Sequence, residues 1–211
     1  LKDGAPYYLK GAVAGDYFDK IKKYGGNSVR IWGKYEERLH LAHKNGLDVL
    51  VSLPVSAERY GMNWDDTLMV NENIDKVMTI VKKFKDHPAV MMWGIGNEID
   101  WIPPGIPYNP KLWDWIDLIA AKIKEIDSYH PVLTVIGDSD FEQKIKEIAK
   151  QCPNLDLVGI NLYGDFSAFT NILRKHLMRP YIVTEWGPKG HWQMPYTKWK
   201  APLEQSSSEK A

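Results

Sequence analysis

Residues 90–98 read VMMWGIGNE and residues 181–185 read YIVTE. Each segment begins as an apolar run of strand length. Each ends on a glutamate, Glu98 or Glu185, where a loop rich in Gly, Trp and Pro takes over. A short apolar run bounded by such residues reads as a strand buried on both faces. In a parallel α/β barrel every strand C-terminus opens on the same face, so side chains remote in sequence converge there. On this reading the two glutamates share one site.

The rest of the chain repeats the pattern. Strands are expected at Tyr8–Val13, Ser28–Trp32, Asp48–Val55, Val90–Gly94, Val132–Ile136, Leu155–Asn161 and Tyr181–Thr184. Helices are expected at Tyr17–Tyr24, Tyr35–Asn45, Asn73–Asp86, Lys111–Tyr129, Phe141–Gln151 and Phe166–Leu177. Ile74, Val77, Met78, Val81 and Phe84 form a stripe at helical spacing, as do Leu112, Trp115, Ile116, Ile119, Ile123 and Ile126. Asn109–Pro110 marks a helix start, and Asp140 with Gln143 has capping-box spacing. Strand and helix in strict alternation imply a parallel sheet with helical crossovers.

Link lengths give the sheet a working side. Helix-to-strand links are tight and punctuated, as at Gly25–Gly26, Asn45–Gly46 and His130–Pro131. Strand-to-helix links are long at Ser56–Glu72 and Glu98–Asn109, on the face that carries both glutamates. Asp3–Gly4 is a turn signal that folds Leu1–Lys2 back on the first strand. Seven strands are visible where a closed barrel has eight. The chain stops at Ser206–Ala211, with Ser206 and Glu209 in capping-box spacing. The expectation is therefore a single domain over residues 1–211, an incomplete (β/α)8 barrel shortened at its C-terminus by one helix–strand–helix unit.

Composition excludes several classes. Lys+Arg and Asp+Glu both number 27, so no field draws nucleic acid or an anionic membrane. No stretch approaches the ~20 apolar residues of a membrane span. The six His are dispersed, and neither HExxH nor CxxC occurs, so no metal is expected. Gly94-Ile95-Gly96 lacks the third glycine of a dinucleotide fingerprint, and no cofactor is expected. Cys152 stands alone, so no internal disulfide forms. Nine Trp and eleven Tyr are the positive signal, because several lie in Gly/Pro-rich loops where a flat ring can stack on a sugar. Two converging carboxylates complete that picture, one to protonate a glycosidic oxygen and one to attack the anomeric carbon.

The order GGNSVRIWG, WGIGNE, GINLYGDF and YIVTEWGPKG resembles the catalytic barrel of glycoside hydrolase clan A, most closely the family 2 type. The resemblance runs from Tyr8 to about Trp199. It implies a retaining hydrolase of β-linked sugars, with Glu98 as general acid/base and Glu185 as nucleophile. It also implies that Arg30, ending strand two, pairs with the nucleophile, that Asn97 binds the sugar 2-hydroxyl, and that Tyr163 donates to Glu185. Asn161, Trp186, His191 and Trp192 are further candidates for the sugar site, and Trp32 and Asp138 also end strands. Burial against Trp93 or Trp101 is expected to keep Glu98 protonated.

The implied partner is an oligo- or polysaccharide, and the implied setting is secreted or periplasmic. The N-terminus LKDGAPYYLK carries no signal pattern. Two departures from the family pattern stand out: no eighth strand with its tryptophan, and no β-sandwich domains ahead of the barrel. They leave an alternative, a sugar-binding barrel without turnover. They also suggest self-association through open barrel edges.

Overall fold

The computed structural model describes residues 2, 4–102, 109–164 and 166–210. Leu1, Ala211 and the middle of the Glu98–Asn109 loop, named above, lie outside them. Seven strands form one sheet in sequence order: β1 (Gly11–Val13), β2 (Ser28–Trp32), β3 (Asp48–Leu53), β4 (Val90–Ile95), β5 (Val132–Ile136), β6 (Leu157–Tyr163) and β7 (Tyr181–Gly187). Every neighbouring pair is parallel. The crossovers carry helices α1 (Phe18–Lys23), α2 (Tyr35–Lys44), α3 (Thr67–Phe84), α4 (Lys111–Ile126), α5 (Phe141–Gln151) and α6 (Ser167–His176), and a final turn forms α7 (Ser207–Lys210). This is the expected seven-stranded (β/α) barrel.

Two cores follow from the period-two alternation of the strands. The larger one fills the space between sheet and helices, with Val29, Ile31, Val49, Val51, Trp93 and Ile95 facing α-helical residues such as Val77, Ile116 and Ile145. The smaller one lines the barrel interior with Leu50, Met92, Leu133, Val135 and Leu157. Gly159 belongs to this inner face. A Cβ there would stand 2.7 Å from Leu133 Cδ1 and 2.9 Å from Thr184 Cγ2, so only glycine fits. β1 and β7 end the sheet. They face each other across a cavity of about 730 Å³ lined by Gly11–Val13 and Ile182–Trp186, and β1 is exposed along its length.

Several boundaries differ from the sequence reading. α3 begins at Thr67 rather than Asn73, because Asp66 Oδ1 accepts from the Leu68 and Met69 amides at 3.0 and 3.1 Å and caps the helix. α4 stops at Ile126 rather than Tyr129, since Asp127 turns its carboxylate onto the amides of Tyr129 and His130. Asp140 forms no capping box: it sits at φ 47°, and Gln143 bonds Glu147 instead. Residues 8–10 do not pair in the sheet, so β1 has only three residues. Lys2 bridges Ala5 around Gly4 rather than lying on β1. Only half of the Ser206–Glu209 box forms: Ser206 N–H donates to Glu209 Oε2 at 2.8 Å, but the Glu209 amide takes the Ser206 carbonyl rather than its hydroxyl.

Candidate active site

Arg30 lies in the middle of β2, not at its end, and points into the barrel near the C-terminal rim. Its side chain is 4% exposed, and burial of a guanidinium costs heavily unless its donors are met. They are met all round. Nε donates to Ser52 Oγ at 2.8 Å, Nη2 to Asn97 Oδ1 at 2.8 Å and Nη1 to Glu185 Oε1 at 3.1 Å. Its plane stacks on Trp32, 4.5 Å from the ring centroid. Burial pulls its pKa down to about 10, with Glu185, Glu98 and Tyr163 acting against that shift. At neutral pH it remains a cation.

Glu185 owes its aim to a bulge. Ile160 pairs with Val183, but Asn161 pairs with Glu185, so Thr184 is an extra residue in β7. A bulge re-aims the side chains beside it. Consecutive residues Thr184 and Glu185 therefore both reach the site: Thr184 Oγ1 donates to Asn161 Oδ1 at 2.7 Å, while Glu185 takes Arg30 on one oxygen and Tyr163 on the other. The Tyr163 phenol donates to Glu185 Oε2 at 2.9 Å, and burial followed by that hydrogen bond pushes its pKa up to about 12. Both oxygens of Glu185 thus accept, one from a guanidinium and one from a phenol.

Glu98 follows β4 on a tight corner. Gly96 has φ 68°, and Glu98 itself has φ 46°, a left-handed conformation that costs a non-glycine residue about 1–3 kcal/mol. The corner is closed by Glu98 N–H donating to Val135 O at 2.8 Å. Its Oε1 accepts from Asn161 Nδ2 at 2.9 Å, and the carboxyl packs over Gly137, where a Cβ would meet it at 3.5 Å. Asn161 thus links Glu98 to Thr184, the neighbour of Glu185. Its amide nitrogen faces Glu98 and Asn97 Oδ1, and its oxygen faces Thr184, the one orientation in which every contact is favourable. Asn97 accepts twice through Oδ1, from Arg30 and Asn161.

The other candidates divide. Trp192 stands edge-on to Tyr163 with centroids 5.2 Å apart and is half exposed, and His191 stands edge-on to Trp192 at 5.1 Å. Gly190 permits this, since a Cβ there would strike the Trp192 ring. Trp186 does not join the hydrogen-bonded cluster. It is 81% exposed and lines both the cavity between β1 and β7, together with Arg30, Tyr163 and Glu185, and the space beside residues 9–14 and α1. Trp93 does not wall Glu98 either. It faces the helices, and its Nε1 donates to Asp127 at 2.8 Å. Alternation along β4 puts Met92 and Gly94 inside and Trp93 outside, which decides the point. Trp101 lies against Arg59 instead, 5.5 Å from its guanidinium.

Sequence reading missed Ser52, Thr184, Arg59 and the buried pair Asp100–Lys144. Arg59 donates to the carbonyls of Asn97, Glu98 and Trp101. Lys144 of α5, 2% exposed, meets the Asp100 carboxylate two residues after Glu98 and donates to Ser139 Oγ at 2.9 Å. Burial raises the pKa of Asp100, and Lys144 opposes that rise. Among the described residues no group of three or more His, Cys, Asp or Glu is placed to hold a metal, and no helix is long and apolar enough to cross a membrane.

The profile of "Glycosyl hydrolases family 2, TIM barrel domain" matches residues 35–198, most of the chain. The chain belongs to that family. The family 2 match begins after β2, so Arg30 lies outside it. Among curated relatives, the β-glucuronidase of Streptococcus agalactiae is 23% identical over 210 residues, covering 84% of this chain and 34% of that protein. The mouse β-glucuronidase is 23% identical over 224 residues, covering 89% and 32%. The family 2 barrel described here therefore spans about a third of these relatives. In solved structures the same fold recurs in a Bacteroides uniformis β-glucuronidase, with TM-score 0.67 at 20% identity, covering 88% of this chain and 25% of that one. It recurs also in a β-mannanase from the mussel Mytilus edulis, with TM-score 0.58 at 18% identity, covering 79% and 69%.

Proposed function

We propose that this barrel carries the site of a retaining β-glycoside hydrolase, with Glu185 as nucleophile and Glu98 as general acid/base. The observation that carries the reading is the unequal company of the two acids. Glu185 accepts from a guanidinium and a phenol, the donors that suit an attacking carboxylate; Glu98 accepts from the neutral amide of Asn161. In the first step Glu185 attacks the anomeric carbon while Glu98 gives its proton to the departing oxygen. In the second, water attacks the glycosyl ester, Glu98 takes the water's proton, and Glu185 leaves as the carboxylate. Asn97 Nδ2 supplies a donor for the 2-hydroxyl. Trp192 and His191 form a wall beside Tyr163 that an extended oligosaccharide would follow. The names of the curated relatives make β-glucuronides the first substrates to try.

One observation favours the second reading, a barrel that binds sugar without turning it over. The cavity between β1 and β7 is lined by Arg30, Tyr163 and Glu185, so the nucleophile's side of the site is open. Turnover of 4-nitrophenyl β-D-glucuronide and other aryl β-glycosides, with calorimetric binding by the same sample, separates the two. Glu185→Ala should abolish turnover, and azide should restore it with an α-linked product. Glu98→Ala should spare substrates with acidic leaving groups, which need little protonation. Exchange of these two phenotypes reverses the roles, and binding without turnover leaves the second reading.

A further inference from the structure

Glu98 stands in a left-handed conformation on a corner, and such a residue persists only where its surroundings over-determine it. The amide side of the corner is held by Val135 O. The carbonyl side is held by one side chain from a different loop. Arg59, in the short 3₁₀ turn Glu58–Tyr60 after β3, directs Nη1 to the carbonyls of Glu98 and Trp101, the latter at 3.1 Å, and Nη2 to that of Asn97 at 3.4 Å. Three carbonyls within five residues thus point at one guanidinium. The planar fork of arginine spreads its donors over three nitrogens and meets them together, whereas lysine carries its three donors on one compact nitrogen. The guanidinium is itself flanked by the rings of Tyr60 at 4.8 Å and Trp101 at 5.5 Å. The same turn reaches the far end of the loop, where Glu58 Oε2 accepts from the Asn109 amide at 3.3 Å.

We infer that Arg59 is a positioning residue for the reaction, fixing the backbone of Asn97–Trp101 so that the Glu98 carboxyl stays on Asn161. This rests on the reading of Glu98 as the acid/base. Among the described residues Arg59 touches neither carboxylate and its side chain bonds only backbone oxygens of the corner, so its effect passes through the direction in which Glu98 points. Asp100, within the same corner, is pinned separately from α5 by Lys144.

Two readouts test this on the full chain. Hydrogen exchange compares residues 94–102 with 132–136 in wild type, Arg59→Met and Arg59→Lys. Arg59→Met should speed exchange in the first segment roughly tenfold or more and leave the second unchanged, with Arg59→Lys between. No change at 94–102, or equal acceleration in both segments, overturns the proposal. Kinetics compares phenyl and 2,4-dinitrophenyl β-D-glucuronide. Arg59→Met should cut kcat on the phenyl substrate by roughly 10²-fold, with little change in KM or on the dinitrophenyl substrate. If Glu98→Ala discriminates between the two leaving groups but Arg59→Met slows both alike, positioning fails while the acid/base role stands. If Glu98→Ala does not discriminate, the acid/base role fails, and the exchange data alone decide whether Arg59 holds the corner.

Discussion

Tyr163 and Glu185 are joined by a 2.9 Å hydrogen bond from the phenol to Oε2, on the oxygen that Arg30 does not reach. The phenol pKa is pushed up to about 12, by burial first and then by Glu185, so the donor keeps its proton throughout the range in which a glycosidase works. Tyr163→Phe should therefore lower kcat without moving the alkaline limb of the pH profile below about pH 9. A hydrogen bond to a charged group contributes about 1.5–3 kcal/mol, so the loss should be roughly 10- to 150-fold. A shifted alkaline limb would mean that the tyrosine titrates in the working range, against this account.

Asn161→Asp keeps the shape of the side chain and replaces the amide that faces Glu98 Oε1 by a carboxylate oxygen. Two like charges in contact cannot both be ionised cheaply, so the acid/base should hold its proton to higher pH. The alkaline limb of kcat/KM should move up by about one unit. Thr184 Oγ1 still has an acceptor, and the fold should survive. An unmoved limb would show that Glu98 does not set it.

The Asp100–Lys144 pair is a stability device with a pH signature. Removing one partner of a buried ion pair costs about 3–5 kcal/mol, whereas replacing both by apolar residues costs far less. Urea titration should show Lys144→Met strongly destabilised and the double variant Asp100→Leu/Lys144→Met restored in large part. Burial raises the pKa of Asp100, and without Lys144 that rise is unopposed. A raised folded pKa gives a contribution that is present below the unfolded carboxylate value and lost as pH rises through the folded value. The Lys144→Met deficit should therefore be smaller at pH 4 than at pH 7. Equal deficits would show that Asp100 stays ionised in the variant.

The strands and the paired acids were legible because burial on both faces leaves an apolar run and because strand ends in a barrel share a face. Helix α3 begins six residues early in the structure because Asp66 caps it, and Val70, in phase with Ile74 and Val77, carries the apolar stripe into that extra turn. Trp93 was misplaced by proximity in sequence, although the alternation along β4 already assigned it outward. The Thr184 bulge and Arg59 left no sequence signal. A bulge is a pairing event between strands, and Arg59 bonds to backbone oxygens, which every residue has. Lys144 shares the apolar face of α5 with Phe141, Ile145 and Ile148, a sign of burial that the sequence does carry, but nothing in the helix names Asp100 as its partner.

The remaining prediction concerns the gap between β1 and β7. Both are edge strands, their backbone groups toward the gap are unpaired in the sheet, and Val13 and Val183 are each more than a third exposed. Exposed apolar edges recruit strands from other copies, and lysine on an edge opposes that. The 211-residue chain should therefore associate, with sedimentation mass rising with concentration. Val13→Lys together with Val183→Lys should return it to a monomer. The backbone donors at the edges can bond to water, so the driving term is the apolar area left uncovered, at roughly 25 cal/mol per Å². Fusing one further helix–strand–helix unit after residue 210, its strand apolar on both faces, should fill the cavity of about 730 Å³ and raise the melting temperature and activity together. A wild-type chain that stays monomeric at high concentration and gains no stability from the added unit would show that β1 and β7 are stable as free edges.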